Sequence, residues 1–181
     1  EEFVKAGINV RACRVNKRGH IEQAMSFPPF EFKQLINEDW ETSSFRARLE
    51  TSRFFFVVFR EDHEGMWRLD RCLFWAMPAN EIEGPAKACW DETRKVIREG
   101  VELNPYRDAS GKLKVTNNLP GMADNPIVHV RPHTSKAAYK FADGTEIGDI
   151  ARNAYELPDG RWMTKQSFWF NKGYLEHILG L

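Results

Sequence analysis

The stretch Arg131-Pro132-His133-Thr134-Ser135-Lys136 gathers cationic donors and hydroxyls within one turn of chain. Arg131, His133 and Lys136 are the donors, with Thr134 and Ser135 between them. Such groups grip phosphate oxygens and base edges. They follow an apolar run, Ile127-Val128-His129-Val130, that reads as a short strand. Pro132 has no N–H to give to a ladder, so the strand is predicted to end by Arg131 and the following residues to face solvent. A second stretch, 157–171, interleaves Arg161, Trp162, Lys165 and Gln166 with further aromatics. Lysine and arginine suit phosphate or guanine, glutamine suits adenine, and an aromatic ring can press on a thymine methyl. The competing account of 157–171 is a strand with Phe168 and Phe170 in the core and Lys165 in solvent. On composition alone that account is preferred.

Other chemistries find less support. Magnesium-dependent hydrolysis of a phosphodiester needs hard oxygen ligands and a base. The segment Ile8-Asn9-Val10-Arg11 offers an amide and a guanidinium, with Glu1 and Glu2 as the nearby carboxylates. Arginine stays protonated and cannot take a proton from water. No Gly-rich phosphate loop and no Gly-x-Ser-x-Gly elbow is present. His129 and His133 are four apart, but an extended segment broken by Pro132 does not bring them to one face, so no metal is expected there.

The elements that would position these residues are read from periodicity. Residues 8–15 alternate as a half-buried strand, and Asn16-Lys17-Arg18-Gly19 is a turn signal for a hairpin or strand-turn-strand. After Pro28-Pro29, residues 30–40 place Phe32, Leu35, Ile36 and Trp40 at helical spacing. Residues 53–60 form an apolar run bracketed by arginines, which suits a central strand covered on both faces. Residues 69–77 read as a second inner strand. Pro85 at a helix start, followed by Ala86, Cys89, Trp90, Thr93, Val96, Ile97 and Val101, predicts an amphipathic helix. Residues 104–125 read as loop, Asp143-Gly144 and Pro158-Asp159-Gly160 as turns, and 174–179 as a short helix with Tyr174, Leu175 and Ile178 inward. Strands mixed with a few helices indicate an α/β fold with a mixed sheet.

With 181 residues the chain suits one domain with a proper core. Net charge is zero, so nucleic-acid binding must rest on a local basic face, and a membrane-surface role is disfavoured. The longest apolar run, Phe54 through Phe59, is far too short to span a bilayer, and no signal peptide is visible. Cys13, Cys72 and Cys89 are odd in number and widely spaced, and read as buried thiols in a reducing cytoplasm. The first residue is Glu and not Met, which implies an excised piece of a longer chain.

Taken in order, Trp40-Glu41-Thr42-Ser43, the strand 53–60, residues 71–78, the Pro85 helix, the loop 128–136 and residues 157–170 resemble the MutH-like nucleases. These are the mismatch-repair nicking enzyme and the GATC-cutting type II restriction endonucleases related to it. The similarity is greatest to the C-terminal half of the two-domain restriction enzymes, through phrases such as Ala24-Met25-Ser26-Phe27-Pro28 and Asn118-Leu119-Pro120. The resemblance implies the PD-(D/E)xK restriction-endonuclease core, a mixed sheet flanked by helices, over residues 1–181 as a single domain. In that family an acidic residue is followed, after six residues, by Glu-x-Lys. Here Glu2 matches the acid, Asn9 replaces the Glu and Arg11 replaces the Lys, which implies a degenerate catalytic site.

By the same resemblance, the domain binds a second copy of the recognition sequence in double-stranded DNA as an effector. It partners an N-terminal catalytic domain of the same chain that uses magnesium, and itself needs no cofactor. The resemblance puts the recognition loop at 131–136, with Arg131, His133, Thr134, Ser135 and Lys136 as DNA contacts, and a second DNA-facing strand at Trp162 to Lys165, to which Arg161 and Gln166 are added as contacts by their chemistry. It reverses the preference for a purely structural 157–171 strand. Trp162 stands where the mismatch-repair enzyme senses adenine methylation with another aromatic residue. Two rivals remain: an active nuclease using Glu2 with Glu41 or Glu50, and a protein-docking module without DNA binding.

Overall fold

The computed structural model describes residues 2–22 and 24–181. Glu1, named above as a nearby carboxylate, lies outside the described residues. In chain order the elements are α1 (Glu2–Lys5), β1 (Ile8–Val15), β2 (Met25–Phe30), α2 (Phe32–Leu35), a 3-10 turn (Trp40–Thr42), α3 (Ser44–Thr51), β3 (Arg53–Glu61) and β4 (Trp67–Ala76). They continue with α4 (Ala79–Glu81), a π turn (Ile82–Ala86), α5 (Lys87–Glu99), β5 (Asn104–Arg107), β6 (Leu113–Thr116), β7 (Val128–Pro132), β8 (Tyr139–Lys140) and β9 (Glu146–Ile147). The last elements are α6 (Ile150–Asn153), β10 (Ala154–Glu156), β11 (Trp162–Thr164), β12 (Gln166–Phe170) and α7 (Lys172–Leu179). Among the described residues, no helix is long and apolar enough to cross a membrane.

The fold is mixed α/β, with the strands divided among several small sheets. One is mixed, in the order β1-β3-β4, with β1 parallel and β4 antiparallel to β3. A second runs β2-β12-β7, a third β10-β11-β8-β9, and β5-β6 form a separate hairpin. Period-two alternation in β3 sends Phe54, Phe56 and Val58 inward. Phe168 and Phe170 of β12 face them across the core. Trp75 of β4 meets Phe170 edge-on with centroids 6.0 Å apart, and Phe45 of α3 stacks on Phe168 at 4.1 Å. Such ring pairs contribute about 0.5–1.5 kcal/mol beyond their buried area. α5 closes the core with Cys89, Trp90, Val96 and Ile97, the face that the periodicity predicts.

Several expectations are corrected. β3 is central, but only one face is fully covered; Phe55, Val57 and Phe59 are half-buried. The inner strand expected over 69–77 is the edge strand β4, because among the described residues no strand pairs with its outer side; Leu69 and Phe74 are 61% and 64% exposed. Cys72 is therefore exposed and Cys13 half-buried, leaving only Cys89 as the deeply buried thiol, pushed up by burial to about 12. β1 pairs with β3, and the Asn16 turn yields just one bridge, Val15 to Ile21. The helix expected over 30–40 is reduced to α2 and the 3-10 turn, although Phe32, Leu35 and Trp40 are buried as expected. Pro28-Pro29 lie within β2, an edge strand where a missing N–H is tolerated. Pro85 sits inside the π turn and not at the helix start, and residues 104–125, expected as loop, contain the β5-β6 hairpin.

Candidate nucleic-acid interface

β7 reaches one residue past its expected end, pairing Pro132 with Gln166 of β12. Its entry is fixed by buried Asn125, whose Oδ1 accepts from the Ile127 and Val128 amides at 3.0 Å each. Asn171 donates to the Asn125 carbonyl at 2.6 Å and lies 2.6 Å from His129 Nδ1. His129 is thus a core residue. Burial, with the nearby Arg131 charge adding, holds its imidazole below the usual histidine range. The Nδ1 atoms of the two histidines are taken up separately, His129 by Asn171 and His133 by Ser167, and no group of three His, Cys, Asp or Glu side chains placed to hold a metal occurs among the described residues.

Beyond β7 the chain turns outward with Arg131, Pro132, His133, Ser135 and Lys136 exposed and Thr134 half-buried. The loop is nonetheless pinned at both ends. The His133 amide donates to the Lys165 carbonyl at 2.8 Å, and His133 Nδ1 lies 2.8 Å from Ser167 Oγ. Thr164 Oγ1 both accepts from the Ala138 amide at 2.9 Å and donates to its carbonyl at 3.0 Å. Within the loop, Thr134 Oγ1 donates to the Lys136 carbonyl at 2.9 Å. Arg131 lies over the Trp169 ring, 4.5 Å from its centroid, while Trp169 Nε1 donates to the Arg131 carbonyl at 3.3 Å. A guanidinium stacked on an indole is restrained in direction while its edge stays free to donate. Fixing donors before a ligand arrives lowers the entropic cost of binding.

Ser167 and Trp169 are the residues that reading the sequence missed. Their signal was available: in Ser167-Phe168-Trp169-Phe170, placing both phenylalanines in the core puts Ser167 and Trp169 on the opposite face. That face of β12 is paired with the Arg131 and His129 positions of β7.

The 161–166 residues divide. Trp162 is half-buried on β11, opposite Lys140. The Lys165 ammonium stands 4.7 Å over the Tyr155 ring. Arg161 is committed to the fold: it holds Asp159 at 2.6 Å and the Val101 carbonyl at 2.6 Å, tying the β10–β11 turn to the base of the β5–β6 hairpin. Gln166 is 1% exposed and donates to the Thr164 carbonyl at 2.9 Å, so its amide is withheld from solvent. The structure thus brings Arg131, His133, Ser135 and Lys136 together at the surface and leaves Gln166 inside.

His133 also lines a groove of about 420 Å³ with Asn9, Arg11 and Arg48. Parallel pairing sets Asn9 beside Phe54 and Arg11 beside Phe56, so both point toward the core side of β1. Because β1 is an edge strand, those positions open at the rim of the core instead of being covered. The apolar partners in the alternation face outward, and Val10 is 50% exposed. Glu2, on α1, is exposed and is not among the groove's lining residues. Glu41 and Glu50 are held by Arg46, at 2.9 and 3.1 Å. No carboxylate lines the groove among the described residues, so the side chains present do not fit a magnesium ion.

No family model matches the chain. It is 37% identical over 189 aligned residues to the type II restriction enzyme Sau3AI of Staphylococcus aureus, an alignment covering 97% of this chain and 39% of that enzyme. The chain is therefore a relative of a type II restriction enzyme and spans well under half of that relative's length.

Proposed function

We propose that this chain is a MutH-like domain with the restriction-endonuclease core that binds double-stranded DNA specifically and does not cut it. In this reading it is the C-terminal effector domain of a two-domain type II restriction enzyme. Binding of a GATC site here activates cleavage by a magnesium-dependent catalytic domain in the rest of the same protein. The observation that carries the reading is the single groove shared by His133 of the loop and by Asn9 and Arg11. Donors for DNA face it, and among the described residues no carboxylate that could hold magnesium does.

Arg131, His133, Ser135 and Lys136 supply base-edge and phosphate contacts, with Thr134 shaping the loop and Trp162 and Lys165 flanking it. Arg161 and Gln166 support that surface from within. The mixed α/β fold and the restriction-enzyme relative support the reading. Arg131→Ala is expected to weaken binding to a GATC duplex by about 1–3 kcal/mol while leaving a scrambled duplex nearly unaffected. Equal binding of both duplexes by the parent and the variant, measured by fluorescence anisotropy, would remove the recognition role.

A second reading, a protein-docking module without DNA affinity, is favoured by the uncovered outer face of the β1-β3-β4 sheet. There Phe55 stacks on Phe3 with ring centroids 5.7 Å apart and meets Phe74 at a tilt, 4.6 Å away. That reading predicts no salt-dependent duplex binding at all.

A further inference from the structure

The groove beside β1 extends beyond the part that His133 lines. A second cavity of about 310 Å³ shares Arg11 and Ser26 with it, and a third of about 340 Å³ shares Asn9, Arg48 and Ser52. Through these shared residues the three lie in series along the rim of the core, from the α1–β1 junction past the end of α3 toward α7, and together they make up a channel. Among the described residues, no aspartate or glutamate lines any of the three. In a chain with as many acidic as basic residues, a channel that carries two guanidiniums and no carboxylate is a local positive field. Among the described residues, neither Arg11 nor Arg48 has an anionic partner, and the Asn9, Ser26 and Ser52 side chains are likewise uncommitted.

Unpaired guanidiniums beside neutral donors suit an anion that is long, flexible in direction and repeatedly charged. Arginine meets phosphate oxygens with two parallel N–H bonds. We propose that this channel is a binding site for the phosphodiester backbone of DNA, with Arg11 and Arg48 gripping phosphates and Asn9, Ser26 and Ser52 donating between them. This rests on the DNA-binding reading above and adds to it a sequence-independent contact supplied by β1 and α3. Because both cations stay protonated, neither can take a proton from water, and the pair holds the strand by charge and hydrogen bonds alone. Base reading belongs to the loop after β7, and the channel supplies affinity and register.

The test is the salt dependence of binding for the 181-residue chain, with a GATC duplex and a scrambled duplex of equal length, between about 50 and 200 mM salt. Arg11→Gln with Arg48→Gln is expected to flatten the slope of log affinity against log salt by about 2, and to weaken both duplexes by a similar factor of about tenfold per arginine. The preference for GATC should stay unchanged. Arg11→Lys with Arg48→Lys should recover most of the slope, which a merely structural loss would not. An unchanged slope in the Gln variant, with the parent binding both duplexes, overturns the channel and leaves the recognition reading standing. A flattened slope in a parent without GATC preference supports the channel and removes specific recognition. Absence of any duplex binding by the parent overturns both.

Discussion

Arg46 and Arg48 stand two residues apart on α3 and meet opposite surroundings. Two residues turn a helix by about 200°, so the side chains leave opposite faces. Arg46 is enclosed by carboxylates: Glu41 at 2.9 Å, Glu50 at 3.1 Å and Glu83 at 2.9 Å. Glu83 also accepts from Trp40 Nε1 at 2.9 Å, and these donors hold its carboxyl below the usual range, the indole bond contributing most. Arg48 faces the channel with Asn9 and Arg11 and has no carboxylate partner among the described residues. The first arrangement ties α3 to the π turn before α5. The second leaves a charge available to something outside the chain. A charged side chain already satisfied by the fold is a structural part, and one left unsatisfied in a concavity is a candidate for ligand contact.

The sharpest way to break that contrast is to exchange readouts. The largest binding loss is expected from Arg131→Ala, about 1–3 kcal/mol against the GATC duplex, with little change in thermal stability because Arg131 is exposed. Trp169→Ala should cost about 0.5–2 kcal/mol of the same specific affinity by freeing the Arg131 guanidinium, and Trp169→Phe should restore most of it. Isothermal titration of the two variants separates an oriented cation from a merely present one. Arg46→Ala should lower the melting temperature in differential scanning fluorimetry and leave duplex affinity within about twofold, since its partners are internal. If Arg46→Ala weakened DNA binding as much as Arg48→Ala, the contrast on α3 would be void.

The smallest effect is a pH dependence. The folded-state pKa of His129 is depressed by burial, so the unfolded chain binds its proton more readily. Stability from this group is complete above about pH 6.5 and falls as pH drops through that value toward the folded-state pKa. Urea unfolding at about pH 7.5 and about pH 5.5 should show the decline, and His129→Gln should reduce the difference between the two.

Much of the interior was legible because apolar periodicity reports burial directly: Phe54, Phe56 and Val58 on β3, Cys89 through Ile97 on α5, and the turn at Pro158-Asp159-Gly160. Strand position was not legible. The 69–77 run is as apolar as a central strand, but edge or centre is decided by which segments pair across the sheet, and no local pattern encodes that. The same limit hid the channel. Asn9 and Arg11 look like the solvent face of a strand, and only the pairing of β1 with β3 at a sheet edge turns them toward the core rim. The loop 131–136 was visible because Pro132 ends its ladder locally. The burial of Gln166 was legible by the same alternation that turns Trp169 outward, since Gln166 shares a strand face with Phe168 and Phe170, and that position outweighs its amide chemistry.

The most direct test is to incubate the chain with GATC and scrambled duplexes in magnesium, measure binding, and then recover the DNA. Tighter binding of the GATC duplex, with both duplexes recovered intact, is the predicted result. Cleavage at GATC by this chain alone, or equal affinity for the two duplexes, would contradict a domain that reads DNA without cutting it.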